Sequence, residues 1–418
     1  MFENAEAAER AVLVAVDTGE YDVEASLQEL EELAATAGIA TLAQVVQKRT
    51  DLDRATAVGT GKLEEVLPLL SGDSAGLLIF DHELSGTQLR NIEKICETPV
   101  LDRTMLILEI FAQRAQSSEG KLQVELARQK YLLPRLTGMG TALSRLGGGG
   151  GGAGAGARRG KGETRLELDR RRIRRRITLM EEQMRELEKR RELHRERRKK
   201  DGVTTVAIVG YTNAGKSTLL NALTDAGVLA EDKLFATLDP ASRALLLPDG
   251  RSVMLIDTVG LIRRLPHHLV EAFHSTLEEA AQADLLLHVC DISNGEAQTQ
   301  AEVVSEVLAK LGAAGTPMLT VLNKCDKVDH IPLAMGNQTA VISAVTGFGL
   351  DVLLQKITAL LEPSQRRMKL LIPYEDSGLL DEIRREGKVF SQEFGETGTV
   401  VDALVDKKLQ SRMQKFCL

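Results

Sequence analysis

The chain has 418 residues, 43% of them hydrophobic, enough to fill about three or four domains at roughly 100–200 residues each. Its four cysteines, Cys96, Cys290, Cys325 and Cys417, have no paired spacing, which argues against a disulfide scaffold or zinc site and for a reducing cytoplasm. Net charge is −7, no apolar run approaches the roughly 18 residues that span a bilayer, and the acidic N-terminus is unlike a secretory signal, so a soluble protein is expected.

Residues 1–115 alternate strand and helix: Ala11–Val16, Leu42–Lys48, Ala75–Phe80 and Val100–Leu101 read as strands, and Val23–Ala37, Gly61–Leu70 and Gly86–Cys96 as helices. That alternation predicts a small parallel sheet with covering helices. Gly59-Thr60-Gly61-Lys62 resembles half a phosphate loop, but Thr56 stands where the first glycine belongs, so it reads as a turn and helix start.

Residues 116–200 read as helix. Leu122, Leu126, Leu133 and Leu136 recur along a helix from about Thr104, with Pro134 bending it. Ile173, Ile177, Met180, Met184 and Leu187 alternate steps of four and three, a heptad seam, so the two stretches predict an antiparallel helical hairpin. Its tip is a loop over 147–162 that holds six consecutive glycines, Gly147, Gly148, Gly149, Gly150, Gly151 and Gly152, followed by Arg158, Arg159 and Lys161. Such a run packs no core. The second helix, from about Glu163 to Arg198, would be roughly 50 Å long at 1.5 Å per residue.

Charge is concentrated in this arm. Arg158 to Lys200 holds 19 Lys or Arg against nine Asp or Glu, which leaves −17 on the rest of the chain. Arg170, Arg171, Arg172, Arg174, Arg175 and Arg176 have few acidic neighbours at i+4 and would repel one another unless a polyanion were close. A solvated coiled coil is the plainer alternative; the arginine excess favours RNA. Aromatic residues make up only 3% and there is no Trp, so contact through phosphates and shape is expected rather than base stacking.

Residues 201–363 carry the chemistry. Gly210-Tyr211-Thr212-Asn213-Ala214-Gly215-Lys216-Ser217, followed by Thr218, fits G-x-x-x-x-G-K-[ST] between an apolar strand, Thr204–Val209, and a helix, Leu219–Ala226. Backbone N–H groups of such a loop cradle phosphates, Lys216 would neutralise the terminal ones, and Ser217 would hold Mg²⁺. In Phe235-Ala236-Thr237, Thr237 is placed to complete the Mg²⁺ shell when a γ-phosphate is present. The strand Val253–Ile256 leads into Asp257-Thr258-Val259-Gly260, where Asp257 would reach Mg²⁺ through water and Gly260 would offer its N–H to the γ-phosphate.

The base reader is Asn323-Lys324-Cys325-Asp326 after the strand Met318–Leu322. Asp326 can accept both N1–H and N2–H₂ of guanine, a donor pair that adenine lacks. Asn323 would tie this loop to the phosphate loop, Lys324 would cover the base, and Ser343-Ala344-Val345 would bring the Ala344 N–H to guanine O6. Four such motifs in order, each at a strand end, make GTP the ligand.

Two positions qualify the catalysis. Leu261 stands where many GTPases carry a water-orienting Gln, so intrinsic turnover should be slow. Asn213 suits either a K⁺ ion bound between phosphates or simply a turn, and both readings stay open. His267 and His268 read as structural or partner-facing rather than as a general base.

Gly160-Lys-Gly-Glu-Thr-Arg-Leu-Glu-Leu-Asp-Arg-Arg171, Ser118-Ser-Glu-Gly-Lys-Leu-Gln-Val-Glu-Leu126, Leu101-Asp-Arg-Thr104, Phe235-Ala-Thr-Leu-Asp-Pro240 and Asp257-Thr-Val-Gly260 together resemble the HflX family of ribosome-associated GTPases over nearly all of residues 10–365. Lys161 stands where that family often has Pro, and Arg165 where it often has Gln. The resemblance implies binding of the large ribosomal subunit and its RNA, with the glycine tip reaching toward the peptidyl-transferase region. It also implies ribosome-stimulated GTP hydrolysis and, in some members, splitting of stalled or idle ribosomes under stress.

The expected fold is therefore α/β: a P-loop GTPase domain with a six-stranded doubly wound sheet at 201–363, an N-terminal small parallel α/β domain, a helical hairpin with a glycine-rich tip, and a small α+β C-terminal domain at 364–418. A cytoplasmic, ribosome-associated monomer is expected, with peripheral membrane contact left open. The rivals are a large-subunit assembly or silencing factor without splitting activity and an RNA-independent regulatory switch.

Overall fold

The computed structural model describes residues 9–70, 76–136, 159–224, 234–235, 241–264, 281–331, 336, 338–361, 365–395 and 397–418. The first sheet holds strands β1 (Arg10–Asp17), β2 (Ala40–Lys48), β3 (Leu77–Phe80) and β4 (Val100–Asp102), all parallel, in the order β2-β1-β3-β4. Period two sorts β1 between two layers. Val12, Val14 and Val16 pack against helices α2 (Thr60–Leu70) and α3 (Gly86–Cys96), whereas Ala11, Leu13 and Ala15 pack against α1 (Val23–Thr36) and α4 (Arg103–Arg114). Asp22, Ser85 and Asp102 accept from the N–H groups of Ala25, Gln88 and Met105, capping α1, α3 and α4. The stretch Gly59–Lys62 is the turn into α2, which begins at Thr60.

The helix expected from Thr104 is divided: α4 ends at Arg114, and Ser117 starts α5 (Ser118–Leu132) by accepting from the Gly120 N–H at 2.8 Å. Pro134 lies in a short 3₁₀ turn, Leu133–Arg135, beyond it. Helix α6 runs from Arg159 to Lys200 and packs Ile173, Ile177, Met180, Met184 and Leu187 against Leu122, Leu126 and Leu133. Ion pairs Lys130–Glu181 (2.7 Å), Arg191–Glu119 (2.8 Å) and Arg176–Glu125 (3.0 Å) flank this seam. The scarcity of acidic neighbours at i+4 leaves out other spacings and the facing helix. Arg176 finds Glu125 across the hairpin, a partner that spacing along one helix cannot show, and Arg172 lies 4.0 Å from Asp169, one turn back along the same helix. Gly147–Gly152 and Arg158 lie outside the described residues.

The GTPase sheet comprises β5 (Thr205–Gly210), β6 (Ala241–Leu246), β7 (Ser252–Asp257), β8 (Leu285–Asp291), β9 (Met318–Asn323) and β10 (Thr339–Val341), in the order β10-β9-β8-β5-β7-β6. All neighbours are parallel except β6 with β7. Helices α7 (Lys216–Thr224), α8 (Ala297–Lys310) and α9 (Leu350–Leu360) pack on it. One apolar cluster is continuous from the first sheet to this one, joining Leu13, Leu106 and Phe111 to Val209, Leu261 and Ile262. The last unit is an antiparallel sheet of β11 (Gln365–Pro373), β12 (Lys388–Phe394) and β13 (Gly398–Asp406), with β13 in the middle, packed by α10 (Gly378–Glu386) and α11 (Lys407–Met413) around Leu370, Ile372, Ile383 and Val401.

Candidate nucleotide site

Strand β5 delivers the chain to Gly210, and α7 starts at Lys216, so the loop between them sits at the carboxyl edge of the sheet where doubly wound folds take ligands. Asn213 (φ 59°) and Gly215 (φ 92°) adopt left-handed backbone, which Asn tolerates and Gly favours. At Gly215 space also demands glycine, because a Cβ there would lie 2.3 Å from Asn323 Nδ2. That close approach has a purpose. Asn323, at the end of β9, donates to the Ala214 carbonyl at 2.9 Å and accepts from the Ala344 N–H at 3.0 Å, fastening the phosphate loop and the Ser343 loop together. The Ala344 N–H, expected to face guanine O6, is thus engaged by Asn323. Val345 is exposed, and Ser343 is buried.

Lys216 is buried, with its Nζ donating to the Tyr211 carbonyl at 2.7 Å. Burial pushes its pKa down to about 8; Asp257 opposes the shift and Lys324 adds to it. Ser217 Oγ donates to the fully buried Asp257 carboxylate at 2.8 Å. Two hard oxygen donors converge beside the loop, which suits Mg²⁺, an ion that takes one or two protein oxygens and completes its shell with waters and phosphates. Thr258 Oγ1 donates to the Ile208 carbonyl at 2.7 Å, so its side chain ties β7 to β5. Gly260 lies against Thr212: a Cβ would come within 2.7 Å of Thr212 Cγ2, so any other residue would push the segment off the loop.

Leu261 continues β7 as a bridge to Tyr211, its N–H donating to the Gly210 carbonyl (3.2 Å) and its carbonyl accepting from the Thr212 N–H (2.8 Å). Its side chain is buried in the inter-sheet apolar cluster with Val259. No group that could polarise water occupies that position. Phe235 is likewise buried, edge-on to Phe111 at 4.6 Å. Ala236, Thr237, His267 and His268 lie outside the described residues. Asp326 is exposed beside the Asn323 loop, and the Ser343 hydroxyl, ahead of Lys327 and Lys324, holds its carboxyl below the usual range.

Tyr211 behaves differently from the other loop residues. Its hydroxyl donates to Glu29 of α1 and accepts from the Arg263 N–H at 2.7 Å. Glu29 pairs in turn with Arg103, which also binds Asp81 at 2.8 Å, and Asp81 pairs with Arg264 at 2.6 Å. Arg264, at φ 50°, lies over the Tyr21 ring at 4.1 Å, and Tyr21 Oη meets His82 Nε2 at 3.0 Å. Sequence reading missed this network, since its members are polar residues scattered over more than two hundred positions with no shared motif. It also missed Asp291, which ends β8 and pairs with Lys324 at 2.7 Å; an apolar strand ending in a carboxylate, the signal used for Asp257, could have found it.

A phosphate loop on a doubly wound sheet, an oxygen-donor pair beside its lysine and the Asn323-Lys324-Cys325-Asp326 loop at the end of β9 define a P-loop GTPase. Family models described as GTP-binding GTPase N-terminal, GTP-binding GTPase Middle Region and 50S ribosome-binding GTPase match residues 24–112, 114–198 and 205–324. The chain is 50% identical to a GTPase HflX of Caldanaerobacter subterraneus, over 98% of this chain and 94% of that one, and 47% identical to that of Lacrimispora saccharolytica, over 98% and 96%. A GTP-binding protein from Sulfolobus solfataricus solved with GDP is 26% identical, with a TM-score of 0.45, covering 84% of this chain and 98% of that one. The chain belongs to the GTPase HflX family, and it binds and hydrolyses GTP. Among the described residues, no helix is long and apolar enough to cross a membrane.

Proposed function

We propose that this GTPase acts in the cytoplasm on the large ribosomal subunit, reaching its RNA with the α6 arm and splitting stalled or idle ribosomes under stress. The observation that carries the reading is the arm itself: Arg171, Arg172, Arg174, Arg175 and Arg176 are exposed and Arg170 half-buried along α6. Phosphates of structured RNA are the natural counter-charge for such a surface. The matching model described as a 50S ribosome-binding GTPase supports the same partner. Arg159 and Lys161 open this helix, with Arg158 and Gly147–Gly152 as the tip that precedes it. We divide the chain into units at 1–115, 116–200, 201–363 and 364–418, the second serving as the arm and the third as the timer.

Within the timer, the N–H groups of 210–218 hold the phosphates, Lys216 faces the terminal ones, and Gly260 offers its N–H to the γ-phosphate. Asp326 selects guanine. Ser217 and Thr237 would hold Mg²⁺ directly and Asp257 through water; the ion would neutralise charge developing between the β- and γ-phosphates. Leu261 polarises no water, so turnover is slow until the ribosome supplies the missing alignment. GTP orders the segments around Thr237 and Gly260, the ordered form binds the particle, and hydrolysis releases it.

GTP hydrolysis measured with and without purified large subunits, for the intact chain and for a chain lacking Gly147–Gly152, tests the partner. Stimulation that the deletion abolishes is expected, whereas none at all would leave an RNA-independent switch. Light scattering of intact ribosomes with protein and GTP should fall. An unchanged signal would indicate an assembly or silencing factor that merely occupies the subunit. Faster hydrolysis in KCl than in NaCl at equal ionic strength is expected if Asn213 holds K⁺; equal rates make it a turn residue.

A further inference from the structure

We propose that Asp291 is a positioning residue for nucleotide binding: it holds Lys324 across the site and thereby sets how long the nucleotide stays bound. Asp291 ends β8 and stands in register with Asn323, the last residue of β9, while the Ile292 N–H donates to the Asn323 carbonyl at 3.1 Å. Lys324 follows at φ 63°, a left-handed turn fixed further by the Cys325 N–H donating to the Ile342 carbonyl at 3.2 Å. Its Nζ meets Asp291 Oδ2 at 2.7 Å, with 15% and 13% of the two side chains exposed. The other carboxylate oxygen accepts from the Ser293 N–H at 2.9 Å and from Ser293 Oγ at 2.6 Å. One oxygen is thus oriented by its own turn, and the other is presented to the lysine.

That arrangement counters two costs. A free lysine stem samples many rotamers, and ordering it when the nucleotide arrives would weaken binding. In addition, Lys324 shares the site with a second ammonium, that of Lys216, which it repels. Left without a carboxylate, Lys324 would be pushed toward solvent. Asp291 keeps it in place before the ligand binds. The inference rests on Lys324 covering the base, the role expected of it in Asn323-Lys324-Cys325-Asp326.

The test uses the full chain, a fluorescent GDP derivative and GTP. Asp291→Asn should release GDP about tenfold faster and raise KM for GTP about tenfold, with kcat changed by less than about twofold, as expected when a ground-state contact is lost. Asp291→Ser, which keeps an acceptor for the Ser293 N–H, should match it. Lys324→Ala should weaken GDP binding to a similar extent, and Asp291→Asn in that background should add less than about twofold, because contacting residues that act as a unit are not additive. Full additivity of the two losses, or Asp291 variants that change only the melting temperature of the nucleotide-free protein, would overturn the proposal. Lys324→Ala that binds GDP normally would instead sink the reading of Lys324 as the base cover.

Discussion

The phosphate loop has two sides built on opposite principles. Toward the proposed nucleotide position it carries Lys216, Ser217 and the backbone N–H groups of 210–218, all within one short stretch of chain. On the other side Tyr211 reaches Glu29, and through it Arg103, Asp81 and Arg264, so charges from α1, the β3 end, α4 and the segment after Gly260 meet in one buried network. The first side is pre-organised for charge that arrives with a ligand. The second carries its own counter-charges, so its value lies in fixing where two folded units sit, and breaking one member exposes the rest to an unpaired environment.

That difference predicts the largest effect. Arg103 is 3% exposed between two carboxylates. Arg103→Met fills the space but leaves Glu29 and Asp81 without their shared cation, and should lower stability by about 3–5 kcal/mol in urea denaturation. A loss below about 1 kcal/mol would mean that Arg264 alone can satisfy Asp81.

Lys216 should show the opposite pattern. Lys216→Met removes the cation that we propose meets the terminal phosphate, and GTP hydrolysis should fall by about 10²–10³, the scale of losing one charge-stabilising donor. Yet the ligand-free protein should become more stable. With a folded pKa near 8 against an ordinary 10.5, the ammonium is disfavoured by folding at pH 7, a penalty of up to about 3 kcal/mol that is relieved as pH rises from 8 toward 10.5. Thermal melts with and without GDP separate the two effects: the variant should melt higher when empty and gain less from nucleotide.

The two sides were also unequally legible. Gly210, Asp257 and Asn323 could be placed at strand ends because each follows an apolar β-branched or leucine-rich run, and a strand's end is a local property. The parallel first sheet was readable for the same reason, from apolar runs that alternate with stretches of helical spacing. The break at Ala115–Ser117 was not, since leucines on both sides continue a helical period and only the Ser117 cap marks the new start. The engagement of the Ala344 N–H by Asn323 and the pairing of Asp291 with Lys324 depend on strand order, which no tetrapeptide encodes. Arg103 and Arg264 meet the carboxylates of Glu29 and Asp81 only where the two sheets come together.

Acid should act on the second side before the first. Burial, with Arg264 and Arg103 close by, pushes the His82 pKa down to about 4, with Asp81 pulling the other way. The unfolded chain takes up a proton near pH 6.5 and the folded one does not, so stability is lost as pH falls from about 6.5 to 4, by up to about 3 kcal/mol. Asp81 continues the trend: burial opposes its ionisation, but Arg103 and Arg264 outweigh it and hold its carboxyl below the usual range, so its contribution disappears at still lower pH. Urea midpoints at pH 7.5 and 5 should differ for the native chain and converge for His82→Gln.

Tyr211 belongs to both sides and gives the smallest and most discriminating effect. Tyr211→Phe keeps the ring in its apolar surroundings but removes the acceptor for the Arg263 N–H and the donor to Glu29. Losing hydrogen bonds to a charged partner should cost about 1–2 kcal/mol of stability. GDP affinity should nevertheless change by less than about threefold, because coupling between sites is reciprocal and the loop backbone is held independently by Asn323 at Ala214 and by Leu261 at Thr212. If affinity instead falls by the full energy lost in stability, the network around Glu29 would be part of the nucleotide site rather than its support, and the separation of the loop's two sides would fail at the residue they share.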